Sequence, residues 1–444
     1  MYFSDLVHTL QNISADEKAV FVSGQPGSGK TFSALQFCAE HKESLYFSFK
    51  NLDTAFALRV FCNAHTEIFG GCESWNDFFG CLKNYGNKKH PLVFFDNAGE
   101  RNDKDDFYAA LNNFLESDSK STVVLLGRPW ETPPIPCREV EIRCFSMPQL
   151  ADVCSLADET AAKLYCLTGA IPALLSLYDN KQSFEDNVRA FLCTDSPFYR
   201  LAASWMNKSF RTPESYNTLL YAMANGYNRI AEIAKFSGFP KNKCDKYIKA
   251  LIEHGLVIKA PGENGHTKYL LANSYLTLWY KCLLTAVPNP DGSFGENVFN
   301  RFMQVFNDEL MTDFYKEMCD YWLKKNINSI STEYIDTKNS SYHNVKVGNI
   351  TFDFACEKKQ AVYAYYDITP GGKLWNEIEN STTKKRPFYE NEYVICTVNR
   401  VPDSFWTLSK RYDNVHIVSQ KMLFATYKKE YNKIAHPRFV PSFV

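Results

Sequence analysis

The stretch GQPGSGKT, Gly24 to Thr31, constrains this chain more than any other feature. Before it, Val20 to Ser23 is a short apolar run, and after it ALQFCAEH has helical spacing, so the order is strand, glycine loop, helix. Glycine lacks Cβ, which lets successive backbone N–H groups turn inward around a phosphate, while the next helix presents its positive end to the same point. In such a loop Gly24, Gln25, Pro26, Gly27, Ser28 and Gly29 form the cradle. Lys30 reaches the β- and γ-phosphates, and the Thr31 hydroxyl holds Mg2+. The alternative is a glycine-rich turn with no ligand, and the strand and helix flanks argue against it.

A Mg2+-phosphate site also needs an acidic residue at the end of a neighbouring buried strand. PLVFFDNAGE supplies one, since Leu92 to Phe95 is an apolar run that ends at Asp96. The competing reading of Asp96 is an ordinary residue of a strand-ending turn. Further apolar strands are expected at Leu45 to Phe49, Thr122 to Leu126 and Val140 to Arg143. Five strands alternating with helical stretches imply a three-layer α/β fold around a parallel sheet.

The loop GQPGSGKT, the strand LVFFDN and the strand VVLLGRP together resemble the P-loop ATPases of the additional-strand class. That resemblance implies strand order 5-1-4-3-2, a bound adenine nucleotide (ATP with Mg2+), and catalytic roles for Lys30 and Asp96. Arg128, just past the third of these segments, is placed by it to touch a γ-phosphate; an exposed loop arginine is the other reading. Such ATPases usually place glutamate after the strand-ending aspartate, to polarise the attacking water. Here Asn97 stands there, which accepts no proton at neutral pH, and Glu100 is the nearest substitute.

After Met147-Pro148 the chain turns helical, and Gly169-Ala170-Ile171-Pro172 separates two apolar helices. This resembles the GGxP signature of the archaeal-type ATPases within the STAND group, with alanine in place of the second glycine. The resemblance implies a helical lid, one helix of which begins at Pro172 and packs near the adenine. The plain alternative is a helix-breaking proline.

Three helices are expected at Pro213 to Ala224, Arg229 to Phe236 and Lys241 to His254, with Gly238-Phe239-Pro240 as a tight turn. LVIKA and KYLLA, across PGENGH, then read as a two-stranded wing. On the third helix Lys243, Lys246 and Lys249 form one ridge, suited to the phosphates of double-stranded DNA; a solvated face of a domain connector is the rival. LTLWYK, Leu276 to Lys281, is similar to the L-x-F-W-Y-R segment that leads into the C-terminal domain of those ATPases.

Downstream, a helix at Asp308 to Lys324, strands at Ile350 to Cys356 and Ala361 to Ile368, a helix near Leu374 to Asn380, and strands at Tyr393 to Val398 and Val415 to Val418 resemble a restriction-endonuclease-like core. Such nucleases need an aspartate and then E-x-K on the next strand. Asp353 fits the first position, but Tyr365-Tyr366-Asp367 stands at the second, so cleavage is not expected. The basic cluster Lys384-Lys385-Arg386 is a candidate contact for a partner or nucleic acid; a solvated basic loop is the other reading.

The expected organisation is therefore a P-loop ATPase core over 1–146, a helical lid over 147–205, a winged helix over 206–290 and an inactive nuclease-like α/β domain over 291–444. With 49 basic and 50 acidic residues the net charge is -1, so any nucleic-acid contact must come from a local patch. No apolar run approaches the ~18 residues a membrane helix needs, and the N-terminus does not read as a secretory signal. The 14 cysteines include no C-x-x-C pair, and reduced thiols in cytoplasm are expected. Two functions survive: an ATP-dependent switch with weak or partner-stimulated hydrolysis, and a non-hydrolysing, ATP-held regulator that binds DNA or an unidentified protein.

Overall fold

The computed structural model describes residues 17–50, 52–98, 105–262, 266–330, 341–347, 350–356, 362–368, 392–401, 403–411 and 413–431. Glu100, the helix expected near Leu374 to Asn380, and Lys384-Lys385-Arg386 lie outside them. Two units divide the chain, one of Met1–Phe145, Thr168–Lys259 and Val287–Phe294, the other of Ser146–Leu167, Ala260–Ala286 and Gly295–Val444.

In the first unit, β1 (Ala19–Gly24), β2 (Leu45–Ser48), β3 (Leu92–Asp96), β4 (Thr122–Gly127) and β5 (Arg138–Ile142) form one parallel sheet in the order β2-β3-β4-β1-β5. This is the order 5-1-4-3-2 read from the other edge, and the fold is that of a P-loop NTPase. Every residue of β1 and β4 is buried, which explains their continuous apolar runs: central parallel strands are covered on both faces. β5 is an edge strand whose residues are exposed or half-buried, and it begins two residues before the expected Val140.

Val20, Val22, Phe94, Val124 and Leu126 point to one face, under Ala34 and Phe37 of the helix Lys30–Glu40. Phe21, Phe47, Phe95 and Leu125 point to the other, under the helices Thr54–Ala64, Trp75–Lys89 and Asp105–Glu116. That second layer is aromatic: Phe69 stacks on Phe78 at 4.2 Å, and Phe47, Phe61, Trp75 and Phe107 interlock around them. Ring pairs at these separations add about 0.5–1.5 kcal/mol each to the burial of their area.

Helices Pro213–Ala224, Ile230–Ser237 and Lys241–Glu253 follow within the same unit, around buried Leu219, Ile233, Ile248 and Leu251. Gly238 ends the second of them at φ 70°, which lets the chain turn sharply into the third. β6 (Val257–Pro261) and β7 (Thr267–Leu271) pair as a two-stranded sheet.

A chain of rings joins the loop after β4 to these helices. Trp130 lies 4.5 Å from His254, His254 lies 4.7 Å from Phe210, and Phe210 stacks on Tyr216 at 3.8 Å, which stacks on Tyr247 at 4.5 Å. Burial lowers the pKa of His254 below its ordinary 6.5, aided by Arg128 and opposed by the Ala250 carbonyl and Glu253. The folded state therefore favours neutral imidazole. Its contribution to stability is full above pH ~6.5 and is lost as pH falls through the lowered folded value. His254→Phe should lose less stability between pH 7.5 and 5.5 than the parent in urea unfolding; equal losses would deny the residue this role.

The second unit holds β8 (Ser341–Val347), β9 (Ile350–Cys356), β10 (Val362–Asp367), β11 (Glu392–Thr397) and β12 (Val415–Ser419), in the order β12-β11-β10-β9-β8. β8, β9 and β10 pair antiparallel, while β10, β11 and β12 run parallel. Helices Thr312–Ile330 and Gln420–Tyr431 pack together in this unit. β8, SYHNVKV, is polar enough that its apolar pattern does not announce a strand.

Candidate phosphate-binding site

The carboxyl ends of β1, β3 and β4 bring the candidate residues together. β1 runs into the glycine loop and the helix that opens at Lys30. Gly29 caps that helix at φ 91°, and Gly27 turns at φ 83°, both left-handed conformations that an L side chain resists. A Cβ on Gly27 would also come within 2.7 Å of Ile171 Cγ2, so the loop has no room for a larger residue there.

The Lys30 ammonium curls back into the loop, donating to the Gly24 carbonyl at 2.6 Å, the Gln25 carbonyl at 3.2 Å and Ser28 Oγ at 3.2 Å. Burial lowers its pKa from 10.5 to about 8, against the opposing pull of Asp96 and Glu131. Next to it, Thr31 Oγ1 donates to Asp96 Oδ2 at 2.6 Å. Asp96 is 4% exposed, and the same oxygen accepts the Tyr46 hydroxyl at 2.7 Å.

The donor set fits a Mg2+-nucleotide. A curled loop of backbone N–H groups, one ammonium, and a hydroxyl already paired with a buried carboxylate are what phosphates and a hard cation require. Thr31 and Asp96 would hold the metal, which supplies charge neutralisation at the phosphate oxygens.

Asn97 sits at φ 59°, where asparagine is tolerated far better than glutamate. Its backbone N–H donates to the Leu126 carbonyl at 3.2 Å, and Nδ2 lies 3.5 Å from Ser48 Oγ. The asparagine thus has a backbone reason to stand here. Arg128 donates through Nη1 to the Lys208 carbonyl at 3.1 Å and lies over the Trp130 ring. Glu131 Oε2 accepts the Arg128 backbone N–H at 2.9 Å. Pro172 opens the short helix Pro172–Leu175, whose Ala173 N–H donates to the Gly27 carbonyl at 3.1 Å. Gln25 reaches the Gly255 carbonyl at 3.3 Å.

Of the lysine ridge, Lys243 lies 3.9 Å over the Phe239 ring and Lys249 pairs with Asp245 at 2.7 Å, whereas Lys246 is exposed. Spacing alone identifies the ridge but not these neighbours. Tyr46 was not among the residues singled out from sequence. Its signal is the alternation in LYFS, which turns Leu45 and Phe47 into the aromatic layer and Tyr46 to the opposite face.

In the second unit, Asp353 on β9 accepts the Tyr366 backbone N–H at 2.8 Å, and the Tyr366 hydroxyl donates to Asp320. Burial raises the Asp353 pKa above the usual carboxylate range, and Asp320 adds to that rise while Lys316 opposes it. Asp367 is buried and accepts Thr397 Oγ1 at 2.8 Å. Among the described residues no group of three His, Cys, Asp or Glu side chains stands close enough to hold a metal ion, and no helix is long and apolar enough to cross a membrane.

No protein-family model matches the chain, and no curated protein matches it in sequence. Among solved structures it is similar to a Signal Transduction ATPase with Numerous Domains (STAND) protein with a tetratricopeptide repeat sensor from Pyrococcus horikoshii. That match has 15% identity and a TM-score of 0.30, over 74% of this chain and 48% of that one. It is also similar to unliganded Pif1 from Bacteroides sp, with 18% identity and a TM-score of 0.21 over 42% of this chain and 51% of that one. A third is Drosophila ORC bound to AT-rich DNA and Cdc6, with 10% identity and a TM-score of 0.24 over 63% of this chain and 90% of that one. The chain spans about half the length of the first two. At TM-scores this low the likeness carries no functional argument.

Proposed function

We propose that this chain binds Mg-ATP at the loop Gly24–Thr31 and acts as a STAND-type nucleotide-dependent switch. The observation that carries the reading is the bond of Thr31 to buried Asp96 beside the inward Lys30 ammonium, all at the carboxyl ends of parallel strands β1 and β3, which flank β4. The proposed organisation has an ATPase core over 1–146, a lid over 147–205 with one helix beginning at Pro172, a winged helix over 206–290 and an inactive nuclease-like domain over 291–444. Contacts from Gly27 to Ala173 and from Gln25 to Gly255 give bound nucleotide a direct way to favour one arrangement of these segments. In this reading Lys30 and Asp96 act at the phosphates, and Arg128 serves them only after leaving the Lys208 carbonyl.

A second reading, an ATP-held regulator that does not turn over, is favoured by Asn97, whose side chain offers no base. In either case duplex DNA is the proposed partner of Lys243, Lys246 and Lys249. The test is phosphate release from Mg-ATP with and without duplex DNA, alongside DNA binding at several salt concentrations. DNA-stimulated release that disappears when the three lysines become glutamate supports the switch and the DNA partner together. Each phosphate contact removed should shallow the salt slope by about one. Binding of ATP with no release under either condition would sink the switch as a hydrolase and leave the regulator. Unchanged DNA affinity in the triple variant would sink the lysine ridge.

A further inference from the structure

Hydrolysis at the glycine loop needs a group that holds the attacking water and takes its proton. Asp96 is engaged by Thr31 Oγ1 and the Tyr46 hydroxyl, and the amide of Asn97 accepts no proton. A second carboxylate, Glu131, stands at the same edge of the sheet. Just past β4 it closes a turn over Arg128-Pro129-Trp130: its N–H donates to the Arg128 carbonyl at 3.0 Å, and its Oε2 accepts the Arg128 N–H at 2.9 Å. Proline in the second place of such a turn fixes φ, so the carboxylate is held in place by the backbone.

Its position follows from β4. A Cβ on Gly127, the last residue of that strand, would lie 2.7 Å from Glu131 Oε2. Gly127 pairs with Ser23, the neighbour of Gly24 in the loop, and the carbonyl of Leu126 just before it accepts the Asn97 N–H. Neighbouring strands lie about 4.8 Å apart, so the oxygen stands about one strand spacing from the loop on one side and from Asn97 on the other. Its charge is felt at Lys30, where only Asp96 does more to oppose the fall in the ammonium's pKa. Glu131 is half-buried, and with Ala98, Tyr108, Leu126, Trp130 and Thr132 it lines a cavity of about 210 Å3, which has room for several water molecules. The residue after Asn97 and the carboxylate beyond β4 therefore face the same space.

We infer that Glu131 is the catalytic carboxylate that holds and deprotonates the attacking water at the loop Gly24–Thr31, serving from the end of β4 the space that Asn97 leaves without a base. The inference rests on the nucleotide reading above and names a residue for it that no motif marks. In the step, the water oxygen bonds to the γ-phosphorus as the bond from that phosphorus to the bridging oxygen breaks, and the electron pair of the broken bond stays with ADP. The water's proton passes to the Glu131 carboxylate and from there to solvent. The competing role for Glu131 is to close its turn and nothing more. A glutamine keeps an oxygen for the Arg128 N–H but accepts no proton, so Glu131→Gln tells the two roles apart.

The experiment measures phosphate release at saturating Mg-ATP, with and without duplex DNA, the dissociation constant of ATP by displacement of a fluorescent ATP analogue, and the melting temperature. The proteins are the full chain, Glu131→Gln, Glu131→Ala and Lys30→Ala. Glu131→Gln should lower the release rate about a hundredfold while its ATP affinity stays within about twofold of the parent and its melting temperature is unchanged. Glu131→Ala should be as slow and should regain release as formate is added, a carboxylate small enough for the cavity. Parent-like release in Glu131→Gln overturns the inference, and so does a slow Glu131→Gln that melts lower together with a Glu131→Ala that formate does not restore, which would leave Glu131 a turn residue. ATP binding by the unaltered chain with no release overturns the inference and leaves the nucleotide reading intact. Failure of the unaltered chain to bind ATP, matching Lys30→Ala, overturns both.

Discussion

Lys30→Ala is expected to raise the dissociation constant for ATP at least about a hundredfold, because the ammonium is the one full positive charge held inside the glycine loop and charge-assisted bonds to phosphate are the strong ones. The fold should survive the change. In the absence of nucleotide the ammonium bonds only to the Gly24 and Gln25 carbonyls and Ser28 Oγ, and its lowered pKa records that burial penalises the charge. Losing those bonds and relieving that penalty act in opposite directions, so the melting temperature without ligand should move little. Isothermal titration with ATP, together with circular dichroism on both proteins, separates the two effects. An unchanged affinity in a folded variant would defeat the assignment of Gly24–Thr31 to phosphate.

The loop and the strands around it were legible in the sequence because their signals are local. A buried parallel strand must be apolar along its whole length, and LVFFD and TVVLLG carry that requirement in the residues themselves. The three helices after Pro213 were legible for a similar reason, with periodic apolar residues and a glycine turn at their boundaries. What depended on register or on distant packing was not. Tyr46 meets Asp96 only because β2 pairs with β3 so that Ser48 stands beside Asp96. Trp130 and His254 are separated by a long stretch of chain, and nothing local announces that their rings meet.

Ala170 carries backbone information that its residue type conceals. It departs from the glycine of the GGxP pattern, yet its φ is 52°, beside Gly169 at 60°, so the backbone there keeps the left-handed conformation the pattern's glycines would supply. An alanine held so costs about 1–2 kcal/mol, which the fully buried side chain and its surroundings sustain. Asn97 teaches the converse. From sequence it reads as a lost catalytic base, whereas the left-handed backbone shows that a glutamate at this position would itself be strained.

Asp96→Ala should lower phosphate release at least about a hundredfold while leaving the loop able to bind ATP without metal, since electrostatic groups aimed at the reacting phosphate are worth that much in comparable sites. The geometry says why the loss should exceed that of any neighbour. One carboxylate oxygen accepts both Thr31 Oγ1 and the Tyr46 hydroxyl, so its removal would take away the carboxylate proposed to hold the metal and free the hydroxyl proposed to share it. It also leaves two donors without their acceptor, but exposed Thr31 and half-buried Tyr46 can turn to water, so the loss of stability should stay below the about 1–3 kcal/mol of a fully buried unmet donor. Tyr46→Phe separates orientation from charge. It keeps the carboxylate and the bond from Thr31 but deletes the outer hydrogen bond, and should raise the Mg2+ concentration needed for half-maximal release about tenfold, with metal-free ATP affinity unchanged. Release rates measured across a Mg2+ titration for the three proteins decide the matter. Parent-like rates in Asp96→Ala would remove Asp96 from the site, and an unshifted Mg2+ requirement in Tyr46→Phe would reduce its bond to Asp96 to packing.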